Sequence, residues 1–456
     1  MCIINIVKGE NYMQKLINAV EKHTKLILEA ERWLWAHPET GYKEFESSKY
    51  LQDKFIELGY SLTLAENITG FYTTIDTGKP GPTVLILGEL DSVICPSHKE
   101  ANPKTGAVHS CGHHAQGAAL LGLAAALKEP GVLDEFCGKI KLCSVPAEEL
   151  LEIEFRSELK KQGIIKYFGG KSEFLSRGYF DDVDLAFMVH TTPMGKFRNT
   201  PGSNGCIAKK FIYKGVAAHA GGSPWDGRNA MYAANCGLTA CNALRETFKD
   251  EDCIRFHPII TSGGSMVNAI PETATLESYV RGMSFESMLE ANRRLNQAIT
   301  GSALSLGCNV EIIDFPGYAP HKNSIDLNEV AKEAVNLALP ECEFIEINKA
   351  STGSTDMGDL SCIMPVVHPY CPGAIGKSHG NDYYIVDPVK ACVGSAKWQL
   401  AMLKILLSDG AKRAYEAIKN FKPRFSSKKE YLDYCDAICC DGNRIEYGEN
   451  TAIVKI

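Results

Sequence analysis

Short apolar runs that end in polar side chains most constrain the fold of this chain. Three of them, Thr83 to Leu87, Lys139 to Val145 and Leu185 to Val189, each have the length of one strand. Such runs are typical of strands buried on both faces, in a parallel sheet that helices cover. Polar residues that follow the strands of such a sheet meet at one edge, where binding sites form. The sequence therefore predicts an open sheet with a site at its edge.

Segments with apolar residues at helical spacing alternate with these runs. The predicted helices span Gln14 to His37, Ser47 to Leu58, Ala115 to Leu127, Leu327 to Leu339 and Val389 to Leu407. Alternation of helices and strands builds a parallel sheet with helices on its faces. We therefore expect the fold class α/β, with a mostly parallel central sheet flanked by helices.

In the middle of the chain the order of predicted helices and strands changes, which predicts a second domain. Its elements follow the order βαββαβ of a ferredoxin-like α+β unit, and a chain of 456 residues exceeds the usual size of one hydrophobic core. We expect an inserted domain of residues 202–317 that splits the first domain into residues 1–201 and 318–456. The sequence assigns no role to the segment after Gly410.

The composition excludes several classes of function. The net charge is -7, from 48 basic and 55 acidic residues, which offers no basic surface to a nucleic acid. No apolar run approaches the roughly 20 residues of a membrane span, and the first residues lack the basic start of a signal peptide. The 17 cysteines are irregularly spaced, which favours buried thiols over a disulfide framework. We expect a cytoplasmic protein that binds a small molecule, with no nucleic acid or membrane partner.

Two motifs place residues with metal-binding chemistry after the predicted strands. Cys111-Gly112-His113 precedes a predicted helix, where a thiolate and an imidazole can converge on a divalent cation such as zinc. Glu148 and Glu149 follow a buried strand, where one carboxylate can bind a cation while the other takes a proton from water. Each motif alone has an ordinary alternative: a buried thiol beside a surface imidazole, or two acidic residues that begin a helix.

Two histidines complete a candidate ligand set. His190 follows the run that ends at Val189, and His379 lies in a glycine-flanked loop, although either could be an ordinary loop or capping histidine. The convergence is more telling than each residue alone, because four candidates follow strand-like runs of one inferred sheet and can share its edge. These four are Cys111, His113, Glu149 and His190.

Six segments together carry a resemblance to a known family. They are His109 to His113, Pro146 to Glu149, Gly178 to Asp184, Ala217 to Ala230, Gly263 to Pro271 with Asn268, and Gly353 to Asp359. Over residues 33–407 the chain resembles the amidohydrolase branch of the aminoacylase and carboxypeptidase family of co-catalytic metallopeptidases. This branch includes aminobenzoyl-glutamate hydrolase subunits, indole-acetyl-amino-acid hydrolases and certain dipeptidases.

The resemblance implies a hydrolase that cleaves an amide bond in an N-acyl amino acid, an aminoacyl-glutamate-like conjugate or a dipeptide. It implies two divalent metal ions, zinc or manganese, and an inserted lid domain that mediates a homodimer. Glu148 would be the general base and His219 would stabilise the oxyanion, while Asn268 and Arg281 would bind substrate and Asp91 would orient a ligand. The implied metal ligands are Cys111, His113, Glu149, His190 and His379.

The chain departs from the branch at two positions. The branch has Asp or Asn after Cys-Gly-His, where this chain has His114, and some members have a histidine where it has Gln116. His114 is therefore a candidate extra or substitute ligand. Two other classes of function stay open. One is a weakly active or inactive partner subunit of a hetero-oligomeric amidohydrolase; the other is a thiol-based metal-binding or redox protein, which the lack of Cys-x-x-Cys spacing disfavours.

Overall fold

The structure, a computed structural model, describes residues 2–441, 444–448 and 451–454. Contacts within the chain divide it into two compact units. The first unit is formed by Met1–Gly202, Lys322–Ala350 and Asp359–Ser426. The second unit is formed by Ser203–His321, Ser351–Gly358 and Ser427–Ile456.

The α-helices are numbered in chain order. They are α1 (Cys2–Glu21), α2 (Thr24–Ala36), α3 (Phe45–Glu57), α4 (His113–Leu127), α5 (Ile153–Lys161), α6 (Gly170–Ser176), α7 (Ala230–Ala243), α8 (Phe285–Ser305), α9 (Ile325–Ala338), α10 (Met357–Ser361), α11 (Ser395–Leu407), α12 (Lys412–Asn420) and α13 (Lys428–Ile438).

The strands are numbered in the same way. They are β1 (Thr63–Leu64), β2 (Phe71–Asp76), β3 (Thr83–Glu89), β4 (Val93–Ile94), β5 (Ala107–Val108), β6 (Lys139–Val145), β7 (Leu185–Phe187), β8 (His190–Thr192), β9 (Phe197–Asn199), β10 (Gly202–Ser203), β11 (Gly205–Lys214), β12 (Arg255–Phe256), β13 (Ile259–Ser262), β14 (Thr273–Gly282), β15 (Asn309–Tyr318), β16 (His321–Lys322), β17 (Phe344–Glu346), β18 (Val366–Val367), β19 (Tyr370–Pro372), β20 (Ala374–Ile375), β21 (Tyr384–Ile385), β22 (Cys440–Asp441), β23 (Ile445–Tyr447) and β24 (Ala452–Val454).

The central sheet of the first unit has the strand order β1-β2-β6-β3-β7-β18. Strands β6, β3, β7 and β18 run parallel, whereas β2 joins β6 and β1 joins β2 in antiparallel pairs. Every residue of β3 is buried, and α4, which is buried along its whole length, packs against this strand. The expected mostly parallel sheet with flanking helices is therefore present. Its central strand β3 ends at Glu89, two residues before Asp91.

A smaller sheet of the first unit, in the order β17-β9-β19-β8, carries His190. The sequence predicts one strand from Leu185 to Val189, but β7 ends at Phe187 and His190 begins β8. The reason is that the neighbouring chain segment leaves the central sheet at the same point. Strand β7 pairs with β18, and β8 then pairs in parallel with β19 in the second sheet.

The segment predicted as one helix from Gln14 to His37 contains two helices. Helix α1 ends at Glu21 and α2 begins at Thr24, whose Oγ1 donates a hydrogen bond to the carbonyl O of Glu21 at 2.7 Å. Val20 and Ile27, on either side of the break, are fully buried in the same core. Because both helices face one core, the apolar spacing continues across a break that it cannot reveal.

The second unit is built on an antiparallel sheet with the strand order β12-β14-β11-β15-β22, and β13 also pairs with β14. Helices α7 and α8 pack against each other and against this sheet. Their shared core includes Phe211 and Leu276 from the strands and Leu295 from α8, all fully buried. The unit therefore has a hydrophobic core of its own.

The segment Ser427–Ile456 lies in the second unit, whereas the sequence predicts that residues 318–456 belong to the first domain. Strand β22 pairs with the edge strand β15, and the N–H of Val310 donates to Tyr447 Oη at 2.7 Å. Pairing at a sheet edge uses backbone groups, which leave no pattern in the side chains. The sequence after Gly410 therefore showed no sign of this contact.

The described residues bear on two expectations about the environment of the protein. Among them, no helix combines the length and the apolar composition of a membrane span. The cysteines whose side chains are described are free thiols, as expected from their irregular spacing.

A buried ion pair links strands β11 and β15 of the second unit. Lys209 Nζ contacts Asp314 Oδ1 and lies 2.6 Å from Asn292 Oδ1, while Arg444 Nε lies 2.8 Å from Asp314 Oδ2. The Lys209 and Asp314 side chains are completely buried. A buried charge that loses its partner destabilises a fold strongly, because water cannot replace the lost contact.

We expect Asp314→Ala to lower the free energy of unfolding by about 3–5 kcal/mol, because Lys209 would stay buried without its carboxylate. The matched control is Glu311→Ala, which removes the partner of Lys214 on the same two strands. Since the Lys214 side chain is 56% exposed, this change should cost less than about 1 kcal/mol. Chemical denaturation measures both losses, and equal values would contradict the importance of the buried pair.

Candidate metal centre

The turn Cys111-Gly112-His113 delivers two predicted ligands to the start of α4. Gly112 has a φ of 95°, in the left-handed region that favours glycine. A Cβ at this position would lie 2.2 Å from Thr191 Oγ1 and 2.3 Å from Tyr383 Oη. Glycine is therefore required at this position, where it makes the tight turn between Cys111 and His113.

The predicted ligands converge within the first unit. The described residues include three groups of side chains whose ligand atoms lie within 4.8 Å of one another: Cys111, His113 and His190; Cys111, Glu149 and His379; and Glu89, His113 and Glu148. Cys111 is common to the first two groups. All five predicted ligands thus lie in one cluster with Glu148, and Glu89, to which the sequence assigned no role, lies there too.

Hydrogen bonds behind the cluster orient two of its histidines. His113 Nδ1 lies 3.0 Å from the backbone O of Asp91 and 3.1 Å from its Oδ1, so this nitrogen donates. His190 Nδ1 donates to the backbone O of Thr191 at 2.8 Å. In both rings Nε2 is left to bind a cation, and His190 Nε2 lies 3.4 Å from Cys111 Sγ. Asp91, for which an orienting role is expected, thus contacts Nδ1 of the candidate ligand His113.

Three buried side chains hold the backbone from Ala147 to Glu149. Ala147 is buried and has a φ of 57°, which is strained for a residue with a Cβ. Its N–H donates to Glu44 Oε1 at 2.8 Å, and the N–H of Glu149 donates to Asp91 Oδ2 at 2.8 Å. Arg156 donates to the backbone O of Glu149. These contacts keep the loop in a conformation that sends adjacent carboxylates to different ligand groups.

Opposite charges at short distance shift the pKa values of the group around Cys111. Burial and Glu149 raise the pKa of the Cys111 thiol, but the imidazoles of His113 and His190 outweigh them and lower it to about 6. Burial also raises the pKa of Glu149, yet His379, whose Nε2 lies 2.9 Å from Glu149 Oε1, lowers it to about 2. The same carboxylate raises the pKa of His379 to about 12. The thiolate and the carboxylate, which are the metal-binding forms, are therefore favoured.

Lys171 and Gln116 hold Glu89, and the sequence assigned no role to Lys171. Lys171 Nζ lies 2.5 Å from Glu89 Oε1, and both side chains are buried. Gln116 Nε2 donates to Glu89 Oε2 at 2.8 Å. Burial raises the pKa of Glu89, but Lys171 and His113 lower it below its ordinary value. Lys171 lies outside every motif of the sequence, so no signal there could have pointed to it.

His114 lies outside the ligand groups, although its position suggested an extra ligand. Its Nε2 lies 3.4 Å from Glu31 Oε1, and its ring centre lies 5.0 Å from that of Trp35 and 5.1 Å from that of His109. Successive residues of a helix point about 100° apart, so His114 cannot share the direction of His113. Burial lowers the pKa of His114, which favours the neutral ring.

The two predicted lid residues His219 and Asn268 are neighbours in the second unit. The backbones of His219 and Ala269 form an isolated antiparallel β-bridge. The backbone O of Asn268 accepts a hydrogen bond from the N–H of Ala220 at 2.9 Å. His219 Nδ1 accepts the N–H of Gly221 at 3.1 Å and that of Gly222 at 2.8 Å. An accepting Nδ1 places the proton on Nε2 of a neutral ring. The exposed His219 ring can therefore donate a hydrogen bond from Nε2.

Arg281, the other predicted substrate-binding residue, also lies in the second unit, on β14. Its Nη1 donates to Ser354 Oγ at 3.0 Å, and its guanidinium carbon lies 5.2 Å from the centre of the Tyr279 ring. Ser354 belongs to the segment from Gly353 to Asp359 that contributed to the family resemblance. The structure thus brings Arg281 into contact with one segment of that resemblance within this unit.

The donor atoms of the cluster fit divalent cations. A thiolate, three imidazoles and several carboxylates share one largely buried region, where acidic groups need compensating positive charge. His113 Nε2 is buried and makes no hydrogen bond within the described part of the chain, although Glu89 Oε2 lies 3.1 Å away. Because Nδ1 donates to Asp91, Nε2 is the ring nitrogen that faces Glu89, and a positive charge at Nε2, from a proton or a cation, is needed to offset the carboxylate. This is the arrangement that a bound cation satisfies.

Comparison with known proteins finds a family match and several relatives. The model of peptidase family M20/M25/M40 matches residues 85–404. The mouse Xaa-Arg dipeptidase is 28% identical over 58% of this chain and 57% of the relative, so the chain spans a little over half its length. The indole-3-acetyl-aspartic acid hydrolase of Enterobacter agglomerans is 27% identical over 63% of this chain and 74% of the relative. A p-aminobenzoyl-glutamate hydrolase subunit of Escherichia coli is 28% identical over 64% of this chain and 58% of the relative.

Two solved structures show the same fold. One is a dinuclear metal-binding peptidase of the M20 family from Bacillus subtilis, with a TM-score of 0.62 and 19% identity over 85% of this chain and 99% of the other. The second is an aminobenzoyl-glutamate utilization protein from Klebsiella pneumoniae, with a TM-score of 0.64 and 20% identity over 85% and 98%. At these identities the likeness concerns the fold alone.

We expect Cys111→Ala to weaken divalent metal binding by about 10- to 100-fold, because it removes the side chain common to two ligand groups. The matched control is Cys143→Ala, which removes a fully buried thiol of the same unit. Burial raises the pKa of Cys143, and this thiol belongs to none of the three groups. Elemental analysis after dialysis, with calorimetric titration, measures retention. Equal retention by the two variants would remove the special role of Cys111.

Proposed function

The chain belongs to peptidase family M20/M25/M40, and we propose that it is a metal-dependent hydrolase of amide bonds in N-acyl amino acids, aminoacyl-glutamate-like conjugates or dipeptides. One observation carries this proposal: Glu148 lies in the same cluster as all five candidate ligands. The relatives support it, since their names describe hydrolysis of an aspartate conjugate, a glutamate conjugate and a dipeptide.

We propose two cation positions that share Cys111. One position would use His113 and His190, and the other would use Glu149 and His379. Zinc suits the thiolate and the imidazoles, and manganese suits the carboxylates, so these two metals are the first to test. When bound, the cations would polarise the amide carbonyl and make water more acidic.

Glu148 is the proposed general base. It is buried, and it shares a ligand group with Glu89 and His113 rather than with its neighbour Glu149. In this role Glu148 takes a proton from the attacking water and passes it to the nitrogen of the leaving amine. The C–N bond breaks as the carbonyl carbon gains the water oxygen, so the products are a carboxylic acid and an amine.

The second unit is the proposed lid, and His219 is its proposed catalytic group. With the proton on Nε2, the neutral ring can donate a hydrogen bond to the oxygen that becomes negative during attack. Asn268, beside His219, and Arg281 would bind the substrate. Such a lid must close over the substrate, so we expect turnover to depend on domain motion.

A homodimer through the second unit is proposed from the exposed strand β13. Every residue of this strand is exposed, including Ile259 and Ile260, and among the described strands only β14 pairs with it. An apolar edge strand with unpaired backbone groups is a template for pairing with a second strand. A second copy of the chain offers the same strand, and antiparallel pairing of the two satisfies a two-fold axis.

We propose a cytoplasmic location for the protein. The described cysteines are free thiols, and many of them are buried. Proteins of oxidising compartments commonly use their cysteines in disulfides, whereas cytoplasmic proteins keep them reduced.

Substitution of the adjacent residues Glu148 and Glu149 tests their proposed roles as general base and metal ligand. Glu148→Gln keeps the shape of the side chain but cannot accept a proton, so turnover should fall by about 100-fold or more with metal content unchanged. Glu149→Gln should weaken metal binding itself, because an amide oxygen is a poorer ligand than a carboxylate. Metal stoichiometry and initial rates on N-acyl amino acids, aminobenzoyl-glutamate and dipeptides are measured for both variants together.

Two outcomes would contradict this assignment. Near-normal turnover of Glu148→Gln would place the general base elsewhere. Identical behaviour of the two variants, with metal retained in both, would show that the carboxylates serve only the structure of the loop. An active wild-type protein is required for either comparison, and its activity should disappear on treatment with a chelator.

The proposed dimer is tested by charging the edge strand. The double variant Ile259→Lys with Ile260→Lys should shift the protein from dimer to monomer, because like charges would meet across the paired edges. Ile453→Lys is the matched control, since Ile453 is 60% exposed in the same unit and Ile259 is 62% exposed. Sedimentation analysis measures the mass, and a dimer that survives the double change would place the interface elsewhere.

A further inference from the structure

Three side chains form a row across the smaller sheet of the first unit. Strand β19 pairs with β8 so that Tyr370 lies opposite His190, and it pairs with β9 so that Tyr370 lies opposite Arg198. Residues in such register point to the same face of a sheet. The row therefore runs from the candidate ligand His190, through Tyr370, to Arg198.

The side chains of the row are in contact. The centre of the Tyr370 ring lies 5.8 Å from that of the His190 imidazole, and the guanidinium carbon of Arg198 lies 4.1 Å from the Tyr370 ring centre. All three residues are half-buried, while most of their neighbours in the strands are buried. Solvent, and therefore a ligand, can reach this row beside the metal centre.

Arg198 keeps most of its hydrogen-bonding capacity unused. Its Nε donates to Thr192 Oγ1 at 3.2 Å, and no carboxylate of the described residues pairs with it. Burial lowers the pKa of Arg198, because removal from water disfavours the charged form. Lys196, two residues earlier, differs in both respects: it is exposed, and it pairs with Glu343 at 2.7 Å.

We propose that Arg198 binds a carboxylate of the amino acid that the enzyme releases. This inference rests on the proposed function and narrows its range of substrates. The planar guanidinium, held flat against Tyr370, can offer two parallel N–H groups to one carboxylate. A scissile amide at the metal centre would have its amino-acid carboxylates only a few bonds away, which matches the separation of His190 and Arg198 by one aromatic ring.

The same charge selects among substrates. A fixed, partly buried cation beside the centre attracts an acidic amino acid and repels a basic one. The structure therefore favours conjugates of glutamate or aspartate over those of arginine. The bound group is either the α-carboxylate, present in every N-acyl amino acid, or the side-chain carboxylate of an acidic residue, and substrate analogues distinguish the two.

Arg198→Gln is tested with metal-loaded protein on p-aminobenzoyl-glutamate, p-aminobenzoyl-glutamine and the analogue of the glutamate conjugate whose α-carboxylate is an amide. We expect kcat/KM for the glutamate conjugate to fall by about 10- to 100-fold, with metal content unchanged. If Arg198 binds the side-chain carboxylate, the glutamine conjugate is nearly unaffected. If it binds the α-carboxylate, the α-amide analogue is nearly unaffected instead.

Binding of free glutamate, measured by calorimetry, provides a readout that does not depend on turnover. Arg198→Gln should weaken it in parallel with the loss of kcat/KM. The matched control is Lys196→Gln, which removes an exposed positive charge from the same segment and should change neither quantity by more than about two-fold. Arg198→Lys keeps the charge but lacks the planar pair of donors, and should recover only part of the loss.

Several results would overturn the inference. One is an unchanged kcat/KM for the glutamate conjugate in Arg198→Gln. Another is an equal loss on all three substrates, which would show that Arg198 contacts no carboxylate of the amino acid. A third is a comparable loss of kcat/KM and glutamate binding in Lys196→Gln, which would show that any positive charge in this segment has the same effect. By contrast, a wild-type protein that binds metal but hydrolyses none of the conjugates or dipeptides would reject the proposed function itself.

Discussion

The carboxylate of Asp91 is the contact on which the candidate centre depends. It follows β3, the strand that is buried along its whole length, and is itself completely buried. One of its oxygens lies 3.1 Å from His113 Nδ1, and the other accepts the N–H of Glu149 at 2.8 Å. Two candidate ligands from distant parts of the sequence, His113 and Glu149, are therefore positioned by one side chain at the edge of the sheet. Because the strand is tightly packed, it fixes the position of Asp91 and, through it, the positions of these two side chains.

Near Asp91, the surroundings of two glutamates shift their pKa values in opposite directions. Burial, together with Asp91, raises the pKa of Glu44 to about 8, whereas His379 brings that of Glu149 to about 2 despite burial. Lys171 compensates Glu89. The protein thus keeps a charged carboxylate where a cation would bind and a more easily protonated one where only backbone support is needed.

The sequence predicted the local part of this arrangement. The run Lys139 to Val145 is a strand with those bounds, and the helix predicted from Ala115 begins two residues earlier, at His113. Lys171 and Glu44 were missed, because each acts through contacts with residues more than 80 positions away. Arg198 was also missed, because only its strand register with Tyr370 places it near the candidate ligand His190.

By itself, the sequence determined the mostly parallel sheet, the α/β class and the motifs that supply five candidate ligands and Glu148. These follow from local apolar spacing and from residue types, which a linear chain displays directly. Only the tertiary structure decided that His190 arrives from a second sheet, that His114 turns to Glu31, and that the C-terminal segment joins the second unit. Strand register, side-chain direction and edge pairing arise from contacts between distant residues, and no spacing along the chain records them.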